Sequence, residues 1–349
     1  MDLGDNMENT KQFIFDFAKS ILAIPSPSGY SEQIIPFIQK EALLLGYPVE
    51  LTKKGNAIIT VLGKAKNVLG LSGHVDTLGA MVKSVSSDGT IRFTTVGGPI
   101  WPTLDGEYCT IRTRHGKLFT GTFLSTSPSS HVYKDASSKD RTPDTMMIRV
   151  DELVHSKIET NNLGIMPGDF IFFDPKTTVT ASGFIKSRFL DDKISVAILF
   201  GLLKQIKQDS IVPEKTLKII ISTYEEVGHG ASYIPEMDEM IAVDMGCVGD
   251  DLTCTEEMVS ICCKDSSGPY DFNIVSDLVS LSKKNSLDYA TDIYPFYGSD
   301  VSAALRGGND FRGGLIGPGV HASHGMERTH EKAIMNTLKL LLAYIQKKS

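Results

Sequence analysis

Acidic and histidine side chains stand at the ends of apolar runs at four places in this 349-residue chain: His74-Val75-Asp76, Asp191-Asp192, Glu225-Glu226 and Asp244. These are hard and borderline metal donors, and with a late histidine near His324 they would make one dinuclear metal site. The runs before them, such as residues 68–71, 217–221 and 240–243, read as buried parallel strands. Parallel sheets place ligands beyond the carboxyl ends of their strands. Taken singly, each group has a plain explanation as a helix cap or turn residue, so it is the set that points to chemistry.

His74 and Asp76 are two residues apart just past a strand, so an extended backbone puts them on one face. The histidine can bind a metal while the carboxylate accepts its second ring N–H and fixes the tautomer. Asp191 and Asp192 open an expected helix. One of them suffices as a cap, and Asp191 is assigned to bridge two cations through its two oxygens. Glu225 and Glu226 precede Val227-Gly228-His229-Gly230, whose glycines permit a tight turn near the site. If Glu226 binds metal, Glu225 is left to accept a proton from a metal-bound water. Asp244 ends the run 240–243 and completes the acids. The stretch 317–330 carries His321, His324 and His330 in a glycine-rich loop, and the residues alone leave His321 and His324 as alternatives for the last ligand. The other histidines (His115, His131, His155, His229 and His330) read as surface or satisfied polar residues.

The elements that must position these groups follow from periodicity. Phe13, Phe17 and Ile21, with Ile14, Ala18 and Leu22 beside them, form one helical face. A second helix is expected from about Ser31, as N-cap, to Leu45. After Ala80 the texture changes to short alternating segments (90–94, 108–113 and 117–123) between Asp-Gly, Gly-Gly and His-Gly turns. The fold class is therefore α/β, a mainly parallel sheet flanked by helices, with an inserted all-β barrel. Residues 1–76 and 179–349 form the catalytic α/β domain and residues 77–178 the insertion. The polar stretch 125–141 reads as a long exposed loop, and the face of Ile334, Leu338, Leu341 and Ile345 as a closing helix.

Composition excludes some functions. A formal charge of -7 with no basic run argues against nucleic acid. No stretch reaches the length of a membrane span, and Asp2, Asp5 and Glu8 stand where a signal peptide needs a basic start. A soluble cytoplasmic protein is expected. Its five cysteines lack zinc-site spacing and read as reduced structural thiols.

Over nearly its whole length the chain resembles the cytosolic dinuclear metallo-aminopeptidases that include the deblocking, glutamyl and tetrahedral (TET) enzymes, some of which have been called cellulases or endoglucanases. The matching segments are Pro25 to Gly29, Gly55-Asn56, Gly73-His74-Val75-Asp76, Val96-Gly97-Gly98, Leu190-Asp191-Asp192-Lys193, Glu225-Glu226-Val227-Gly228, Val243-Asp244 and the late histidine loop. The resemblance implies a zinc-peptidase α/β domain whose barrel serves oligomer assembly and access, in homo-oligomers that include twelve-subunit tetrahedral shells. It implies two divalent ions per subunit, zinc or cobalt first and manganese as a third choice. His74, Asp191 and Asp244 would hold one, Asp191, Glu226 and a histidine the other, with Glu225 as general base and Asp76 as orienter. Related loops of the form Ser-His-x-x-Glu-Arg select His324 over His321. Two positions depart from many relatives: Thr77 stands where an acid follows the histidine-aspartate pair, and Lys193 where an arginine follows the two aspartates.

The expected activity is removal of N-terminal residues from peptides with a free amino terminus, by a hydroxide between the two metals. Glycoside hydrolysis also uses paired carboxylates, but it needs no metal-ligand histidines. A non-catalytic shell-forming homologue would be marked by loss of a ligand or of Glu225, and none is missing.

Overall fold

The computed structural model describes residues 3–348, with side chains from residue 6, so Asp2 lies outside the described residues and the side chain of Asp5 is not described. The chain divides into two compact units, one of Met1–Asp76, Lys176–Ser323 and Glu327–Ser349, the other of Thr77–Pro175 and His324–Met326.

The first unit is built on a mixed ten-stranded sheet. Its centre is parallel: Lys215–Ser222 pairs Ala65–His74, which pairs Glu239–Val243, which pairs Arg312–Val320. Antiparallel strands close it on both sides, Ala57–Val61 against Lys215–Ser222 and Val259–Asp265 against Arg312–Val320. The central strands are buried toward their carboxyl ends, which explains their apolar runs there. The helix Leu190–Gln208 is also buried along nearly its whole length, so its sequence is apolar all round rather than amphipathic. It packs on the helix Leu3–Leu22, where Phe17 and Phe200 stack at 4.3 Å.

The buried Lys193 Nζ donates to the carbonyls of Ile21 (3.0 Å) and Ile24 (2.7 Å). These lie at and just beyond the end of the first helix, where carbonyls lack helical partners. Burial lowers the ammonium to about 7, against the opposing charge of Asp76. The lysine that departs from the family pattern is thus committed to a helix end.

The second helix runs Ile34–Leu44 with Gln33 at its N-cap. Ser31 lies outside the helix and does not cap it, and Pro36 falls in the first turn, where a missing N–H costs no helical bond.

The second unit is a closed antiparallel barrel of six strands: Gly79–Val85, Ile91–Val96, Met146–Val150, Leu118–Ser125, Tyr108–Arg112 and Phe170–Phe173. Phe93 meets Phe123 edge-on at 5.1 Å and Trp101 at 4.9 Å, so aromatic edges fill the buried centre. The main segment of this unit runs to Pro175. Thr178–Val179 pairs with Phe184–Ser187, which pairs with Glu327–His330 in a small separate sheet of the first unit. The polar loop after Leu118–Ser125 is pinned: Arg141 binds Asp105 at 2.8 Å and donates to the Ala136 carbonyl at 2.9 Å. Among the described residues no helix is long and apolar enough to cross a membrane.

Phe200→Ala should cost about 3–5 kcal/mol, the usual price of a phenylalanine-sized void in a packed core, read as a lower midpoint in urea unfolding.

Candidate metal centre

Register brings the four groups level. His74 is the last residue of its strand and lies opposite Ser222, while Ala242 lies opposite Ser72. Glu225 and Glu226 follow Ser222 in a short 3-10 turn, which Gly228 closes at φ +81°, a conformation that disfavours a side chain. Asp244 follows Val243 and sits so close to Gly317 that a Cβ there would lie 1.5 Å from the Asp244 carbonyl oxygen. Asp191 and Asp192 have non-helical backbone angles before the helix proper. The Asp191 N–H donates to the buried Glu327 carboxylate at 2.9 Å, and Asp192 Oδ2 accepts the His74 N–H at 3.1 Å.

The segments quoted for the resemblance have physical work here. Asn56 brackets the acidic turn, donating to the Gly230 carbonyl at 2.8 Å and accepting the Thr223 N–H at 3.2 Å. Ser26 donates to the Val75 carbonyl at 2.7 Å and Ser28 to Asp76 Oδ2 at 2.5 Å.

His74 Nε2 lies 3.2 Å from Asp191 Oδ1 and 3.7 Å from Glu225 Oε2. Its Nδ1 bonds the main-chain carbonyl of Asp76 at 2.9 Å, with the Asp76 carboxylate at 3.5 Å. The carboxylate instead accepts the N–H groups of Glu225 (3.0 Å) and Glu226 (3.2 Å). Asp76 therefore orients the ring through its carbonyl and orients the two glutamates through its side chain. Two overlapping groups place potential ligand atoms within 4.8 Å of one another: His74, Asp191 and Glu226, and His74, Glu225 and Asp244.

His324 belongs to the second unit, where its Nδ1 lies 2.9 Å from the Gly98 carbonyl. His321 forms a bridge with Arg328 and lies 3.9 Å from Glu256. His330 caps the closing helix Glu331–Ile345, and His229 stacks on Tyr224 beside Lys54. Sequence reasoning missed Asp300, whose buried carboxylate accepts the Ser222 hydroxyl at 2.7 Å, and Tyr297, whose hydroxyl donates to the Met245 carbonyl at 3.0 Å. Neither carries a local pattern. The glutamate of the Ser-His-x-x-Glu-Arg form was the available signal for Glu327.

Burial pushes the carboxyls of Asp192, Glu225 and Glu226 well up, and neighbouring acids add to it while His74 pulls each back. Asp244 is raised to about 7 by burial and by Asp191, and Asp300 to about 6, mainly by burial. Burial alone would lower His74, but the bond to Asp191 and the charges of Glu225, Asp76 and Asp192 raise it well above its ordinary value. Crowded carboxylates around one imidazole, each costly to ionise alone, are a donor set that divalent cations fit.

The family model for M42 glutamyl aminopeptidases matches residues 55–340. The chain belongs to that family. It is 46% identical over 336 residues, 95% of this chain and 96% of the other, to the Bacillus subtilis (strain 168) protein YhfE, which carries an aminopeptidase name. The fold is that of a TET aminopeptidase from a marine sediment thaumarchaeote (TM-score 0.86, 18% identity, 96% of this chain and 97% of the other). It is also that of the Pyrococcus horikoshii TET1 peptidase, which can assemble into a tetrahedron or a large octahedral shell (TM-score 0.83, 22% identity, 96% and 100%). M42 membership makes this a hydrolase of peptides, a metal-dependent aminopeptidase, and does not favour the glycosidase and non-catalytic alternatives.

The raised groups set a pH dependence for the metal-free protein. Between ordinary carboxylate values near 4 and the raised folded values, the folded chain holds protons that the unfolded chain has released, so stability falls as pH rises. His74, also raised, acts in the same direction at higher pH. Chelated protein should lose melting temperature from about pH 5 to about pH 8, and added divalent cation should remove most of that loss. A metal-induced gain in melting temperature no larger at the upper pH than at the lower would contradict this.

Proposed function

We propose that His74, Asp191, Glu226, Asp244 and His324 hold two divalent cations per subunit, with Asp191 as the shared bridge. Glu225 serves as the general base. When bound, the cations polarise the scissile carbonyl and acidify the attacking water. Glu225 takes the proton from that water and delivers it to the leaving amine. Asp76 holds both glutamates by their N–H groups, which keeps the proton-carrying Glu225 and the ligand Glu226 in separate roles. The surrounding acids attract the substrate's free α-ammonium, which favours action at the chain terminus. The observation that carries this reading is the Asp76 clamp on both amides beside His74.

For His324, the bond between Nδ1 and a backbone carbonyl supports coordination through Nε2, as with His74, whose Nδ1 also meets a carbonyl. Zinc or cobalt, with manganese as a third choice, suits one-histidine, carboxylate-rich ligand sets. We further place the enzyme in the cytoplasm as a homo-oligomer, in line with the shells of the TET1 peptidase, a tetrahedral dodecamer being the specific form to test by mass in solution.

Glu225→Gln should keep metal content near that of the wild type and lower turnover by about 10²–10⁴-fold. The assay is a fluorogenic aminoacyl panel with chelated enzyme reconstituted one metal at a time. Unchanged turnover would remove Glu225 as base.

A further inference from the structure

The stretch after Val243 is unusually constrained for a loop. Asp244 N donates to the Ile316 carbonyl at 2.9 Å, and Met245 N donates back to Asp244 Oδ1 at 2.6 Å. The next residue, Gly246, is pressed against the neighbouring strand, where an added Cβ would lie 2.4 Å from Ser260 Cβ. Met245 between them is held from its carbonyl side by the Tyr297 hydroxyl at 3.0 Å.

Tyr297 is itself fixed. Its carbonyl accepts the Ser266 N–H (3.1 Å) and hydroxyl (2.6 Å), and its ring packs on Tyr294 at 5.2 Å. Two residues on, Ser299 caps the helix Asp300–Arg306 through a reciprocal pair of bonds with Ser302 and meets the Tyr270 hydroxyl at 2.8 Å. A half-buried phenol anchored at both ends of its segment thus reaches the residue that follows a proposed metal ligand. Burial, then the charge of Asp244, pushes this phenol well up, so it stays a neutral donor.

We infer that Tyr297 is a positioning residue for the metal held by Asp244: its hydroxyl fixes Met245 so that the Met245 N–H occupies Asp244 Oδ1 and leaves Oδ2 to face the cation. Hydrogen-bond partners behind a ligand set its direction and basicity, and losing one weakens binding by about 10–100-fold. The effect is confined to one of two ions, because Glu226, the ligand assigned only to the other, is organised by the Asp76 clamp.

The inference rests on the two-metal reading above, and the test separates the two. Wild type, Tyr297→Phe and Tyr294→Phe, all chelated, are titrated with zinc against a competing chelator. Tyr297→Phe keeps the ring, so the packing on Tyr294 survives. Tyr294→Phe removes a nearby hydroxyl whose partner is Ser260 rather than the ligand turn.

Expected are two ions in the wild type and in Tyr294→Phe with unchanged Kd values. In Tyr297→Phe one Kd should weaken about 10–100-fold while the other stays put, with melting of the chelated protein lowered no more than in Tyr294→Phe, which also loses one hydrogen bond. Two unchanged Kd values in Tyr297→Phe, or equal weakening of both, would overturn the role of Tyr297 and leave the two-metal reading standing. A wild type that binds fewer than two ions would overturn both.

Discussion

Buried like charge is the constraint that organises this molecule. Asp191, Asp192, Glu225, Glu226 and Asp244 gather around one imidazole at the carboxyl edge of a sheet whose strands are apolar and closed to water. No arrangement of carboxylates alone would be stable there. The backbone supplies part of the answer. N–H groups of His74, Glu225, Glu226 and Met245 each point at a carboxylate, so main-chain dipoles hold the acids in place before any cation is considered. In the proposed metal centre a divalent ion would supply the rest.

The parallel centre of the sheet makes this possible. Strands that run the same way bring their last residues to one edge, so segments far apart in the chain deliver the proposed ligands to one spot. The long buried helix Leu190–Gln208 braces the sheet from behind, and Lys193 ties its start to the end of the first helix. The position that departs from the family pattern thus serves two backbone carbonyls.

Much of this was legible in the residues. Apolar runs ending in acids marked the strand ends because a strand buried on both faces cannot alternate, and the barrel declared itself by alternation and glycine turns. The destination of the Asp76 carboxylate was not legible. It depends on a 3-10 turn whose amides face backward, and spacing along the chain does not report the direction of an N–H. Tyr297 and Asp300 were invisible for a related reason: each acts across the fold from a segment without periodicity. Ser31 looked like a cap by type, yet the first helical turn began after it. His324 was chosen from a loop pattern, and its grouping with the barrel unit depends on tertiary contacts that no loop pattern encodes.

The proposed ligand residues are also far apart along the chain. His74 and Asp76 precede the barrel, whereas Asp191, Glu225, Glu226 and Asp244 follow it, and Asp244 needs Gly317 and Ile316 beside it. Contacts of such long sequence separation are slow to form, because loop closure must precede them. Of the proposed site residues, a chain that has emerged only as far as the barrel holds just His74 and Asp76. On the proposed ligand set, metal capture therefore has to wait until the segments that follow the barrel have been made.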